Sequence, residues 1–263
     1  MGKITFLGTG TSQGIPMIGC TCPVCKSADP RDNRLRTSAL VEHNGFRILI
    51  DCGPDFRQQM LRENISDLDA VILTHQHKDH TGGLDDIRAF NYFRKEAFPI
   101  YAEPLVQDSL KMEYSYAFAE HKYPGVPEYQ LYTIGEEPFA ITRHLPHGST
   151  SSLTITPIRV YHYKLPILGF RIGDMAYITD GSSIPEGEYA KLQGVELFII
   201  NTVRKEKHIS HFSLPEALDI IKKVAAKRNY LTHMSHQLGT HQELCNILPD
   251  NVLPAYDRLV LEF

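Results

Sequence analysis

Ala70-Val71-Ile72-Leu73-Thr74-His75-Gln76-His77-Lys78-Asp79-His80 joins a short apolar run to four metal-competent side chains within six residues. The apolar run reads as a β-strand that stops abruptly at a sheet rim, where neutral imidazoles and an ionised carboxylate can converge on a cation. His75 and His77, two apart, share one direction, while Asp79 and His80 reach another. That arrangement suits two neighbouring metal ions. The plainer alternative is a polar turn enriched in histidine by chance, since the chain has thirteen histidines in 263 residues. Three histidines and an aspartate in six positions, followed by Gly82-Gly83, weigh against it.

A chain of 263 residues with 42% hydrophobic and 22% charged side chains can bury a substantial core, and a single domain over 1–263 is the expectation. The net charge of -4 gives no general attraction for polyanions, and no local basic block compensates. The start, Met1-Gly2-Lys3-Ile4-Thr5-Phe6-Leu7-Gly8, has too short an apolar run for a signal peptide. No later stretch approaches the roughly 18 apolar residues of a membrane span, so no membrane partner is expected and the location is read as cytoplasmic. Five cysteines, an odd number, argue against a disulfide framework and fit a reducing compartment. Cys20-Thr21-Cys22-Pro23-Val24-Cys25 offers three thiolates in tight spacing, one ligand short of a tetrahedral zinc site. Cys52 and Cys245 each sit alone beside apolar residues and read as core.

Strands are expected at 3–7, 38–42, 46–51, 70–73, 100–102, 152–160, 168–172, 176–179, 197–201, 230–232 and 259–262, from β-branched content and turn residues at their ends. Helices are expected at 54–62, 84–94, 104–119, 185–192, 213–226 and 242–248. The fifth is the best marked: Ser213-Leu214-Pro215-Glu216 has a capping serine, a proline in the first turn and a glutamate three residues on. Strand-rich halves with interspersed helices give an α/β layered architecture.

His75-x-His77-x-Asp79-His80 resembles the signature of the metallo-β-lactamase superfamily, and within it the chain is most similar to the phosphodiesterases of the carbon–phosphorus lyase pathway. The resemblance implies an αββα sandwich with both metals at one edge between two sheets. It also directs attention to strand ends, where His162 follows the alternating run 153–160, Asp180 follows 175–179 and His233 follows 229–232. Each alone would read as a turn residue. Carried over from the family pattern, His75, His77 and His162 bind one ion, Asp79, His80 and His233 bind the other, and Asp180 bridges. The phosphodiesterases also hold a structural zinc on a Cys-x-Cys-x2-Cys loop and a histidine three positions beyond the last active-site histidine. Cys20, Cys22, Cys25 and His236 match that arrangement.

Two divalent ions held by imidazoles and two aspartates would acidify a bridging water and generate hydroxide against a phosphodiester; zinc and manganese both suit the ligand set. Leaving-group protonation falls to His211, just before a helix start, where the related phosphodiesterases and the tRNA 3′-processing nucleases carry a catalytic histidine. His208 competes for the role, or serves as a loop or phosphate-contacting residue. Asp51, ending an apolar strand, orients a ligand histidine by analogy with related enzymes, or caps a helix. Gly8-Thr9-Gly10-Thr11-Ser12-Gln13-Gly14 misses the dinucleotide spacing and reads as a turn shaping the site rim.

The expected function is thus a dinuclear metal-dependent phosphodiesterase acting on small or cyclic phosphodiesters. A tRNA 3′ endonuclease and a metal-binding protein without catalysis are the alternatives. A nuclease would need a basic arm, whereas 90–137 is rich in Tyr, Phe and acids, including Glu113, Glu120, Glu128, Glu136 and Glu137, so nucleic acid is a disfavoured partner. The segment 90–146 matches no usable pattern and is assigned to a lid and any homodimer contact.

Overall fold

The computed structural model describes residues 2–144 and 149–263 and contains two seven-stranded sheets stacked face to face. The strands are β1 (Lys3–Gly8), β2 (Ser38–His43), β3 (Phe46–Ile50), β4 (Ala70–Ile72), β5 (Phe98–Ala102), β6 (Tyr129–Thr133), β7 (Phe139–His144), β8 (Thr150–His162), β9 (Leu165–Ile172), β10 (Met175–Ile178), β11 (Leu197–Asn201), β12 (Arg228–Thr232), β13 (Val252–Pro254) and β14 (Val260–Glu262). The first sheet runs β14-β1-β2-β3-β4-β5-β6 and the second β13-β12-β11-β10-β9-β8-β7. The last strand of the chain thus pairs with its first.

The period-2 alternation of strand side chains explains the layering. In β3, Phe46, Ile48 and Ile50 join the core between the sheets and Leu49 faces outward; in β11, Leu197 and Ile199 face inward while Phe198 and Ile200 face outward. The outer face of the first sheet is covered by helices α1 (Phe56–Arg62), α3 (Arg88–Arg94), α4 (Pro104–Glu113) and α5 (Ser115–Phe118), after the one-turn α2 (Lys78–Thr81). α6 (Leu214–Val224) and α7 (His241–Ile247) cover the second. Both begin in capping boxes, Ser213 with Glu216 and Thr240 with Glu243, as the sequence marks for α6. This is the αββα sandwich. No helix of the described residues is long and apolar enough to cross a membrane.

Four expectations are corrected. The described residues of the segment 90–146 form no lid: they supply β5, the edge strands β6 and β7, and helices α3 to α5 on the outer face, and residues 145 and 146 lie outside the described ones. β6 and β7 escape a pattern-based reading because edge strands are half-solvated; every residue of β6 is exposed or only partly buried. The helix expected at 84–94 starts as a 3-10 turn, Leu84–Ile87, and the 185–192 helix is 3-10, Glu186–Leu192. Cys245, expected in the core, is only half-buried on α7, whereas Cys52 is fully buried.

The two sheets are tied together beside the rim where β4 ends. The Leu168 amide donates to the Thr74 carbonyl at 3.1 Å, and Arg159 of β8 makes a double contact with Glu103 beyond β5, at 2.5 and 2.9 Å. The turn after β3 packs directly on α2: the Cys52 amide donates to the His80 carbonyl, and the Gly83 amide returns to the Cys52 carbonyl. A Cβ on Gly53 would stand 2.1 Å from the Asp79 carbonyl oxygen. Gly53→Ala should therefore push these turns apart, costing about 1–3 kcal/mol, with a lower melting temperature than the native protein. A melting curve superimposable on the native one would remove the argument.

Candidate active site

The C-terminal ends of β3, β4, β8, β10 and β12 deliver Asp51, the 74–80 loop, His162, Asp180 and His233 to one edge of the sandwich. Strand ends of open α/β sheets are where such clefts form, because each strand releases its chain there. Asp180 is the centre. Its Oδ2 lies 3.2 Å from His75 Nε2 and 2.8 Å from His80 Nε2; its Oδ1 lies 2.6 Å from His233 Nε2 and 3.4 Å from His211 Nε2. Asp79 completes the second cluster, 3.3 Å from His80 Nε2 and 3.7 Å from His233 Nε2. Two sets of ligand atoms each lie within 4.8 Å of one another: Asp79, His80, Asp180 and His233, and His75, His77 and Asp180. His162 is not in the second set, though its ring centroid is 5.2 Å from His77 and 5.8 Å from His75.

The ring orientations are fixed from behind. The Thr74 amide and hydroxyl donate to Asp51, and that hydroxyl accepts from His75 Nδ1 at 2.9 Å. His80 Nδ1 donates to Asp51 Oδ2 at 2.7 Å. His162 Nδ1 faces the carbonyls of Asp180 and Ser210 at 2.9 and 2.7 Å. Each Nδ1–H is therefore spent outward and each Nε2 turned into the cleft, the arrangement a metal-ligating histidine needs. Asp51 is thus bonded to both Thr74 and His80, and the residue before α1 is Asp55. Thr74, Ser210 and Asn201 were not singled out from the sequence. Asn201 brackets Gly181 with two hydrogen bonds, 2.7 Å to its amide and 3.0 Å to its carbonyl, fixing the turn after Asp180; a polar residue closing the apolar run Leu197-Phe198-Ile199-Ile200 was its only signal.

Electrostatics divide the cleft. Burial pushes His75 down to about 4 and lowers His77, leaving neutral rings on one side. On the other, burial also opposes protonation of His80 and His233, but Asp180 prevails, lifting His80 well above its ordinary value and His233 to about 9. Burial works against Asp180 too, yet His233 and His80 hold its carboxyl well below the usual range, and His80 does the same for Asp79. The carboxylates stay ionised and demand cationic charge around them. The Nε2 atoms of His75, His80 and His233 and Oδ1 of Asp180 are buried and, despite these short approaches, make no directed hydrogen bond. Such orphaned lone-pair atoms around a common centre fit divalent cations.

The cleft, about 300 Å³, is lined by Thr11, Ser12, His77, Asp79, His162, Asp180, Val203, His208, His211 and His233. The 8–14 turn therefore does shape the rim, and His208 and His211 both face it. A larger cavity of about 460 Å³ on the outer helical face is lined mainly by apolar side chains, including Phe56, Met60, Phe90 and Phe93, and holds no comparable cluster of titratable groups. Next to the cleft, Cys20, Cys22, Cys25 and His236 bring their ligand atoms within 4.8 Å of one another, with Cys20 and Cys22 Sγ at 3.2 and 3.3 Å from His236 Nδ1. The Cys25 amide and His236 lower the Cys22 thiol to about 6, while burial lifts Cys25 to about 11. Four protein ligands within 4.8 Å of one another fit a closed zinc site.

A protein-family model described as the beta-lactamase superfamily domain matches residues 46–234. Over 260 residues the chain is 43% identical to an octanoyltransferase of Porphyromonas gingivalis; the match takes in 98% of this chain and 51% of that one, so the chain spans about half the length of that relative. Among solved structures it is similar to a new diphosphatase from the PhnP family, with a TM-score of 0.89 and 38% identity over 100% of this chain and 98% of the other. Zinc-bound PqqB of Methylobacterium extorquens shares the fold at a TM-score of 0.78 and 18% identity, over 99% and 100% of the two chains.

Cys22→Ser should remove one zinc per chain and lower the melting temperature, with the cleft residues otherwise intact. Metal analysis by plasma emission alongside a thermal scan makes the comparison. Unchanged metal content in that variant would sink the zinc reading of the thiol cluster.

Proposed function

The chain belongs to the beta-lactamase superfamily, and from that premise we propose that it is a metal-dependent phosphodiesterase acting on small or cyclic phosphodiesters. The observation that carries this reading is Asp180, which is shared by both ligand clusters, its Oδ2 close to His75 and His80 and its Oδ1 close to His233, in one cleft of about 300 Å³ with His211 on the same wall. We assign His75, His77 and His162 to one cation, Asp79, His80 and His233 to a second, and Asp180 to both, with Cys20, Cys22, Cys25 and His236 holding a structural zinc. When bound, the paired cations, zinc or manganese, supply Lewis-acid charge that acidifies water and balances the phosphoryl oxygens. Similarity to a PhnP-family diphosphatase supports phosphorus–oxygen bond hydrolysis over other superfamily chemistries. The octanoyltransferase name belongs to a protein about half of which lies outside the match, and acyl transfer is not carried to this chain. The free thiols suit a reducing compartment such as the cytoplasm.

The protein's own groups have separable tasks. Asp51, through Thr74 and His80, keeps the first-sheet imidazoles aimed inward. His211 is the general acid. Burial lowers its affinity for a proton although Asp180 beside it pulls the other way, so its imidazolium is a stronger acid than a free one. As the ester bond breaks, the Nε2 proton passes to the leaving alkoxide. Thr11 and Ser12 close the opposite rim and limit the size of the group that enters. The acidic, aromatic character of 90–137 offers no polyanion track, which favours a small substrate over tRNA.

Asp180→Ala should abolish turnover and weaken both cation sites together, because a shared anion offsets repulsion between neighbouring cations. Two tightly held active-site metals and near-native rates in that variant would end the bridging assignment. His211→Ala is tested on substrates that differ in need for an acid. Removal should cost on the order of a hundredfold or more with an alkyl or ribose cyclic phosphodiester, and far less with bis-p-nitrophenyl phosphate, whose leaving group departs unaided. Equal losses on both would refute the acid role; no hydrolysis of any phosphodiester or diphosphate by the zinc- or manganese-loaded protein would refute the function.

A further inference from the structure

Between β11 and α6 the chain folds so that three side chains meet at the cleft wall lined by His208 and His211. His211 Nδ1 is 3.1 Å from His208 Nδ1, and Ser210 Oγ lies 3.1 Å from His211 Nδ1 and 3.4 Å from His208 Nδ1. The Ser210 backbone amide points at His208 Nδ1 from 3.3 Å. An amide can only donate, so His208 Nδ1 is an acceptor and carries no proton. Two ring nitrogens in hydrogen-bonding contact need one proton between them, which must then sit on His211 Nδ1. That leaves His211 Nε2 as the atom facing the cleft, 3.4 Å from Asp180 Oδ1.

We propose that His208 is a positioning residue whose Nδ1 accepts the Nδ1–H of His211, fixing the tautomer and ring plane in which His211 presents Nε2 to the substrate. This rests on the general-acid reading of His211. When the Nε2 proton goes to the leaving oxygen, the ring that remains is the neutral Nδ1–H tautomer already held by His208. Neither ring rotation nor a proton jump between nitrogens is then required before the next substrate binds, and water restores the Nε2 proton. Partial burial and the neighbouring Arg204 lower the proton affinity of His208, which keeps it neutral and able to accept. The same turn holds His162, whose Nδ1 donates to the Ser210 carbonyl, so the acid and a cleft histidine are positioned from one short segment. His208 also lines the cleft, where it is expected as a rival acid, a loop histidine or a phosphate contact; its Nδ1 contact with His211 points to the positioning role.

The test compares His208→Ala, His208→Asn and Ser210→Ala in the zinc-loaded protein. Asparagine puts its amide oxygen at the bond distance from the backbone where histidine has Nδ1, so it should still accept from His211. The first readout is the nitrogen-15 spectrum of the histidine side chains, with the His211 signals identified by their loss in His211→Ala. The native protein, His208→Asn and Ser210→Ala should show His211 protonated at Nδ1; His208→Ala should show the Nε2–H form or a mixture. The second readout is kinetic. His208→Ala should lower kcat roughly tenfold or more for alkyl phosphodiesters, with little change in KM or for bis-p-nitrophenyl phosphate, and His208→Asn should recover most of it at unchanged metal content. An unaltered His211 tautomer in His208→Ala, the same tautomer change in Ser210→Ala, or a loss confined to KM would overturn the proposal. If His211→Ala showed no leaving-group dependence while His208→Ala still changed the tautomer, the acid reading would fail and the positioning contact would stand.

Discussion

A buried carboxylate set among imidazoles is the constraint on which this molecule turns. Asp180 is almost wholly inaccessible, and an isolated ionised carboxylate there would cost far more than the few kcal/mol that separate folded from unfolded protein. It stays ionised because cationic groups surround it and because the neighbouring backbone can take no other course. Asn201 grips Gly181 on both sides, and a Cβ at Gly181 would clash with Phe212 and Val160. Asp180 itself adopts φ of 55°, in the left-handed region that few non-glycine residues occupy. Asp51 at 62° and His233 at 51° do the same. Such conformations cost on the order of 1–3 kcal/mol each and persist only where surrounding packing over-determines them. Three in one cleft mark it as the place where the fold accepts strain to aim side chains.

The thiol cluster shares in this. Met234 follows His233 and donates its amide to the Thr9 carbonyl; Ser235 donates to the Val203 carbonyl; His236 then reaches the cysteines. Thr9 begins the turn whose Thr11 and Ser12 line the cleft, and that turn runs into the cysteine loop. The rim formed by Thr11 and Ser12 thus runs between Thr9, held by the Met234 amide, and the cysteine loop that meets His236, which explains how an irregular loop keeps a defined shape without a strand or helix of its own.

How much of this was legible beforehand depended on whether the signal was local. An apolar run with a polar stop was enough to mark His75, His77, Asp79 and His80, whereas His162, Asp180 and His233, each alone a turn residue, needed the family pattern; the structure brings all of them to one edge of the sandwich. The ring orientations were not legible: they depend on Thr74, Asp51 and the Ser210 carbonyl, contacts between segments 23 to 48 residues apart. α2 was invisible because one polar helical turn has no apolar period, and β6 because an edge strand on half-solvated ground has little alternation to show. The contact of His208 with His211 Nδ1 was not legible either, since it depends on how the loop between β11 and α6 folds.

The cleft draws its members from both layers of the sandwich. Asp51, His75, His77, Asp79 and His80 belong to the first sheet and its turns, whereas His162, Asp180, His211 and His233 belong to the second. Neither sheet alone carries a complete ligand set, and residues that join them, such as His80 and Asp180, lie 100 positions apart in the chain. Tight divalent binding is therefore available only to a molecule in which both layers have formed and docked in register. By mass action a bound cation then favours that state over every partly assembled one. If these residues hold cations as proposed, metal occupancy would act as a checkpoint on the fold's own assembly: a chain that has misaligned its layers would be at once empty and inert.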